Sequence, residues 1–369
     1  MTNTNSVTLA QPLRAWHGRD RARLGWMAAF IALLHVVGWG LLIGVVAPRY
    51  GAATTGGFGI GLGVTAYVLG MRHAFDVDHI AAIDNTARKL LGEGRRPLAV
   101  GFWFSLGHSS VVFGLCLLIG LGVRTLATQV NDASSQLQQV MSLIGTLVSG
   151  LFLLLIGLIN TSALVGVSRV FRRLRRGEHD EEELEAQLRS RGLLARVLGR
   201  VTGSVRKDWH MYLVGLLFGL GFDTATEVSL LVLSASATAL QLPWYAVLTL
   251  PVLFAAGMSL LDTIDGVVIS ATYEWATTNP VRRVFYNLVV TGLSVVVAVV
   301  VGSIELLGLL GEKLAVRSGP LAWAASLDLE GVGYLVAALF LLTWLAGILT
   351  WKLGRFEQRW HRPAAQLDR

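Results

Sequence analysis

FGIGLGVTAYVLGMRHAFDVDHIAAIDN, residues 58–85, is long enough to cross a bilayer, a path that takes about 20 residues of helix. Its first half is apolar and rich in glycine. Its second half carries Arg72, His73, Asp76, Asp78, His79 and Asp84. Seven further apolar windows flank it, at 24–46, 98–121, 141–167, 209–235, 243–271, 284–309 and 331–351. The 369 residues are 53% hydrophobic and 15% charged, with a mean hydropathy of +0.59. A soluble domain averages roughly 25% charged residues, so an array of soluble domains is excluded. The expectation is an all-α polytopic membrane protein with eight transmembrane helices.

Lys and Arg counts in the nine segments between windows run 4, 1, 4, 1, 11, 0, 2, 2 and 5, which leaves Arg72 as the one basic residue inside a span. Alternate segments thus hold 26 and 4. By the positive-inside rule both termini face the cytoplasm, and one helix missed or invented would scramble the alternation. The predicted organisation is a cytoplasmic N-tail (1–23), a transporter domain (24–351) with a charged cytoplasmic loop at 168–208, and a cytoplasmic C-tail (352–369). Trp209, Trp244, Trp275 and Trp351 fall near span ends, where an aromatic belt is expected. The N-tail lacks the apolar core of a signal peptide. The single cysteine, Cys116, excludes an internal disulfide and a thiolate metal cluster. The basic run Arg169–Arg176 reads as a headgroup anchor, and the acidic run His179–Glu183 as a solvated charged face.

There is also an internal echo. Glycines precede Phe75-Asp76 in the second span and Phe222-Asp223 in the fifth, and Gly107-His108-Ser109 in the third matches Gly257-Met258-Ser259 in the sixth. Three spans separate the copies, so the halves are expected to form an inverted three-plus-three repeat, with the substrate site near mid-membrane. Chance matches in a chain with 41 glycines are the competing reading.

The ionisable residues inside spans carry the functional signal. An acid or base at the bilayer centre costs at least about 2.5–3.5 kcal/mol, so these groups must face one another, water or an ion. On an ideal helix His73, Asp76 and His79 share an arc of about 120°, with Asp78 about 140° from His73. Asp78 therefore either holds a histidine tautomer or reaches the same site through a distortion of the helix. Two imidazoles with carboxylates and no thiolate suit a borderline divalent ion such as Ni²⁺, Co²⁺ or Zn²⁺. The competing reading is mutual satisfaction, for example Arg72 with Asp76 at i, i+4. His108 adds a third imidazole. Asp223 with Glu227 and Asp262 with Asp265 each share a helix face. His35 and Glu305 are isolated and read as structural, and Met71 and Met258 as packing.

These residues resemble the nickel/cobalt transporter family. RHAFDVDHIAAIDN (72–85) is similar to its second-helix signature His-x4-Asp-His, which falls here on His73, Asp78 and His79. LGHSS (106–110), GLGFDTATE (219–227) and GMSLLDTIDG (257–266) resemble its further motifs, in the expected order. Val77 departs from the alanine common there. The resemblance implies eight spans, cytoplasmic termini and a multi-pass place in a bacterial plasma (inner) membrane. It implies a permease importing Ni²⁺ and/or Co²⁺, with nickel or cobalt efflux as the alternative. It also implies a core metal site of His73, Asp78 and His79, adjoined by Asp76 and His108, with Asp223, Glu227, Asp262 and Asp265 as acidic partners. The ideal-helix geometry favours Asp76 as the direct ligand and the family motif Asp78, and both stay in the set.

The expected partners are a divalent metal ion and the lipid bilayer, with no nucleic acid, no resident cofactor and no ATPase, since no GxxxxGK[ST] loop is present. An enzyme is disfavoured: there is no HExxH, and the Asp262 and Asp265 pair lacks the companion motif of an aspartyl protease. A divalent cation gains roughly 4.6 kcal/mol per 100 mV of membrane potential, enough to drive uptake without ATP. The net charge of +7 divides by layer into +14 in cytoplasmic segments, zero outside and −7 within the spans.

Overall fold

A helix is the one open-chain structure that satisfies its own backbone in lipid, and the described parts of the apolar windows are mainly helical. The computed structural model describes residues 18–50, 59–120, 129, 134–175, 205–221, 243–277, 287–327 and 332–353. Helix α1 (Gly18–Leu41) continues through a π-helical turn, Leu42–Val46, to Tyr50. Then come α2 (Ile60–His73), α3 (Val77–Gly92), α4 (Val100–Gly120), α5 (Gln136–Arg175) and α6 (Met211–Phe218). Helices α7 (Trp244–Thr277), α8 (Gly292–Lys313), α9 (Pro320–Ala325) and α10 (Val332–Leu353) complete the set. Five stretches are long and apolar enough to cross a membrane: Gly18–Tyr50, Val100–Leu118, Gln136–Gly166, Trp244–Thr272 and Leu288–Lys313.

The distribution of side chains is that of a membrane protein. Leu33, Val36, Leu335 and Leu342 are more than half exposed, whereas Asp84, Asn85, Arg88 and Asp262 are buried. In water this arrangement would leave apolar surface wet and polar groups dry; in lipid both are placed correctly. Trp209 and Trp244 are half exposed near helix ends, while the side chains of Trp275 and Trp351 lie outside the described residues. So does all of the charged loop from Arg176 through Ser204, including His179–Glu183.

Several helix pairs bring backbones into contact through glycine, and two of them are alike. In one, α2 lies against α7: a Cβ on Gly70 would strike the carbonyl of Phe254, and one on Gly257 would lie 2.5 Å from that of Tyr67. In the other, α6 lies against α4: a Cβ on Gly215 would strike the carbonyl of Phe104, and one on Gly107 that of Tyr212. The two contacts share one pattern, an aromatic residue and a glycine three positions later on each helix. They are also crossed, because the second window packs on the sixth and the fifth on the third.

Polar contacts lock the rest. Ser105 Oγ donates to Ser259 Oγ at 3.1 Å, tying α4 to α7. Asn160 Nδ2 donates to Asn85 Oδ1 at 2.8 Å, and Asn85 Nδ2 to the Ser294 carbonyl at 3.2 Å, joining α3, α5 and α8. At one end of the bundle Arg96 pairs with Asp20 at 2.6 Å. There Asp208 accepts the Ala99 N–H at 3.1 Å. Burial raises the Asp208 carboxyl above its ordinary range, opposed by the Ala99 hydrogen bond and by Arg23.

Candidate metal site

The second window is not one helix. Helix α2 ends at His73, Ala74 and Phe75 form a turn, and Asp76 is extended (φ −63°, ψ 140°) before α3 begins at Val77. The arc drawn on an ideal helix therefore does not apply across 73–79. The break leaves helix-end groups in the middle of the bundle, and local bonds satisfy several of them. Phe75 N–H and Asp76 N–H donate to the carbonyls of Arg72 and His73 at 2.9 and 3.0 Å. The His79 N–H donates to Asp78 Oδ1 at 2.9 Å. The C-terminal end of α2 carries the negative end of its dipole, which favours a cation beside His73.

The break turns both α2 and α3 histidines to one point, where α4 delivers His108. The ring centroids of His73, His79 and His108 are 4.6–4.7 Å apart in every pair, and one nitrogen from each ring lies within 4.8 Å of the others. All three residues are no more than 2% exposed. Phe104 stands edge-on to His79 at 4.7 Å, and Phe254 lies 5.7 Å from His73, so the walls are aromatic.

Carboxylates orient the rings. Asp76 Oδ2 lies 2.7 Å from His73 Nδ1. With Nδ1–H donated to Asp76, His73 turns its Nε2 lone pair inward, toward His108 Nε2 at 2.9 Å. Asp262 Oδ2 lies 3.6 Å from His79 Nδ1. Among the described residues neither Asp262 oxygen makes a hydrogen bond, though the residue is 1% exposed. Such a carboxylate is costly unless positive charge comes beside it. Imidazole nitrogens held by carboxylates are the usual surroundings of a bound first-row metal ion.

A cavity of about 820 Å³ reaches this cluster. His73, Asp76, Asp78 and His108 line one part of it, and the rest is lined mainly by residues of α5, α8 and α9, with Phe218 of α6 and residues 315–317 after α8. Glu305, which reads as isolated in the sequence, lines this cavity. His35 is held by the Ile31 carbonyl at 2.8 Å and by Tyr67 Oη at 3.2 Å, away from the cluster.

The predicted site residues separate into three groups. His73, Asp76, His79, His108 and Asp262 come together around the three rings, and Asp78 lines the cavity beside them. Asp265 lies one helical turn beyond Asp262, its Oδ2 buried without a hydrogen bond. Asp223 and Glu227 lie outside the described residues. A neighbouring group was missed: Arg88 is buried and grips Asp84 with two contacts of 2.8 and 2.9 Å. Their i, i+4 spacing was the available signal, but the spans were bounded at Asn85.

Comparison with known proteins adds an independent line. A family profile described as high-affinity nickel-transport protein matches residues 59–350. The chain is 56% identical to nickel transporter NicT of Mycobacterium tuberculosis, over 94% of this chain and 93% of that protein. It is 45% identical to nickel transporter NixA of Staphylococcus aureus, covering 92% and 98%. It is 43% identical to cobalt transport protein NhlF of Rhodococcus rhodochrous, covering 91% and 94%. No solved structure matches the chain.

Proposed function

The chain belongs to the family of high-affinity nickel-transport proteins, and from that premise we propose that it is a permease carrying Ni²⁺ and/or Co²⁺ into the cell across the bacterial plasma membrane. The observation that carries the proposal is the triad of buried imidazoles, His73, His79 and His108, with Asp76 and Asp262 against their ring nitrogens. Nitrogen ligands without thiolate suit these two ions. Relatives named for nickel and for cobalt support both as cargo. Asp78, Asp265, Asp223 and Glu227 complete the proposed set as acidic partners along the path.

The permease domain spans residues 24–351 and crosses the membrane eight times, with both tails and the 168–208 loop in the cytoplasm. The basic-residue alternation supports this topology. The crossed glycine contacts support an inverted repeat, since exchanging the two halves maps α2 on α7 onto α6 on α4. Helix α6 also ends at Phe218, shortly before Phe222-Asp223, as α2 ends at His73 shortly before Phe75-Asp76. In this topology the cavity lies between the outer halves of α5 and α8, so the triad is reached from outside. That arrangement favours uptake over efflux. The ion sheds water onto the imidazoles, and the membrane potential drives it inward without an ATPase partner.

The experiment is uptake of radioactive Ni²⁺ and Co²⁺ by cells carrying the wild type or His73→Ala, repeated with purified protein in vesicles. Accumulation by the wild type alone supports the proposal. Wild-type protein that lowers cellular metal would reverse the direction, and vesicles that bind the ions without moving them would make the protein a receptor.

A further inference from the structure

Helices α5 and α8 run antiparallel and touch where each has a glycine: a Cβ on Gly302 would lie 2.9 Å from the Gly150 carbonyl, and one on Gly157 3.1 Å from Val299. Beyond this contact they form a wall of the cavity. Ser149 directly precedes Gly150, Thr146 is one turn further from it, and Glu305 is one turn past Gly302. All three residues line the cavity. The antiparallel register puts Glu305 at the level of Thr146 and Ser149, beside the contact of Leu306 with Gly150.

Two side chains of α5 on this wall are built for a polar visitor. Ser149 and Gln138 are each 6% exposed and line the cavity. Ser149 Oγ and Gln138 Oε1 make no hydrogen bond within the described residues. Buried polar atoms left this way cost on the order of 1–3 kcal/mol each, so a lining that retains them suits a hydrated occupant. The groups at this level of the wall offer oxygen: the Glu305 carboxylate and the hydroxyls of Thr146 and Ser149, with the Gln138 amide oxygen on the same helix; Lys313 and Arg317 also line the cavity. The triad contributes nitrogen. Oxygen ligands accept hard, hydrated divalent ions with little discrimination, whereas imidazoles select borderline ones.

We propose that Glu305, facing Thr146 and Ser149, forms a first station for the incoming divalent cation, which it holds with its water shell before the imidazoles strip it. The station rests on the transport reading above and deepens it: capture precedes selection, and the two use different chemistry on different helices. A single carboxylate about 6 Å from a divalent ion in water-like surroundings is worth roughly a factor of ten in affinity.

The test is initial-rate uptake of labelled Ni²⁺ and Co²⁺ by the wild type, Glu305→Gln and Glu305→Asp, with and without millimolar Mg²⁺ at constant ionic strength. Glu305→Gln should raise KM about tenfold, by the same factor for both ions, with Vmax within about twofold. Glu305→Asp keeps the charge and should recover most of that KM. Mg²⁺, a hard ion, should raise the wild-type KM competitively and have less effect on Glu305→Gln. An unchanged KM in Glu305→Gln, a fall in Vmax alone, or wild-type kinetics indifferent to Mg²⁺ overturns the station. The Mg²⁺ measurement uses the wild type, so it decides the matter even where a variant fails to reach the membrane. An inactive wild type would instead overturn the transport reading itself, while an active wild type, an inactive His73→Ala and an unmoved Glu305→Gln would remove the station alone.

Discussion

His73 Nε2 and His108 Nε2 stand 2.9 Å apart, on helices α2 and α4. Two nitrogens bound at right angles to one ion, each at about 2.1 Å, would be separated by about 3.0 Å. The pair thus holds the spacing of neighbouring ligands, one ring donating N–H to the nitrogen of the other. An ion bound between them would displace that proton, which passes to the other nitrogen of its ring or to water.

His108 is therefore a full member of the site. His108→Ala should weaken uptake at least about tenfold, as should His73→Ala and His79→Ala, because each removes one nitrogen of three. Labelled nickel uptake, normalised to protein in the membrane, checks this. A His108→Ala variant with wild-type kinetics would remove His108 from the ligand set.

Asp262 acts through His79. Its carboxylate faces Nδ1 at 3.6 Å, and its charge favours positive charge on that ring and on an ion beside it. Asp262→Asn keeps the shape and loses the charge, and outer carboxylates of this kind are worth about 10–100-fold in metal affinity. The readout is nickel binding by purified protein in detergent. Unaltered affinity would show that the carboxylate is bound to something other than the metal centre.

Protons compete with the ion for the imidazoles. A ligating ring must be neutral, so affinity is full above the ordinary histidine range near pH 6.5 and falls as pH drops through it. The KM for uptake should rise as much as tenfold per pH unit for each competing proton, measured at fixed membrane potential. Kinetics that stay flat between pH 7.5 and pH 5.5, a range of about two units around the histidine value, would contradict imidazole ligation.

Glycine in an exposed helix is a weakness, and replacing it with alanine ordinarily gains about 0.5–1 kcal/mol. At Gly70 and Gly215 the opposite is expected, because the new Cβ meets the Phe254 and Phe104 carbonyls. Gly70→Ala and Gly215→Ala should both lower thermal stability in detergent, and to similar extents. Stabilisation by either would contradict the close backbone approach.

The buried Asp84–Arg88 pair makes a prediction about folding rather than transport. Removing one partner of a buried pair leaves an uncompensated charge, at a cost of about 3–5 kcal/mol. Asp84→Asn and Arg88→Met should each reduce folded protein in the membrane, and the double variant should recover much of it. Quantitative immunoblotting of membrane fractions distinguishes this from two independent losses.

The membrane class and the site's main residues were legible because lipid imposes a strict code: long apolar runs, basic loops, and ionisable residues only where they are used. His73, His79 and Asp76 announced themselves by type and crowding. What sequence could not supply was the break at Ala74–Asp76. No proline marks it, and an extended Asp76 is stabilised by contacts with His73 that exist only once the turn has formed. Periodicity put His73, Asp76 and His79 on one face and left a helix distortion as one way for Asp78 to join them, but it could not place the break or set the 4.6 Å between the rings of His73 and His79. The cavity that Glu305 lines was not legible for a related reason: Thr146 and Ser149, which line it too, lie on another helix, and their hydroxyls carry no signal in an apolar run. Arg88 was lost to a boundary drawn three residues too early.

The crossed packing also governs how the protein comes into being. All three histidines belong to the first three spans and are synthesised early, but the backbone contact that seats α2 is made by Phe254 and Gly257, more than a hundred residues later. Asp262, which faces His79, arrives with the same helix. A ribosome that has delivered α2, α3 and α4 has thus placed imidazoles in the membrane without the wall that aligns them. Metal binding at the proposed triad is therefore expected only after α7 has been translated, so a nascent chain lacking α7 should not be trapped around an ion.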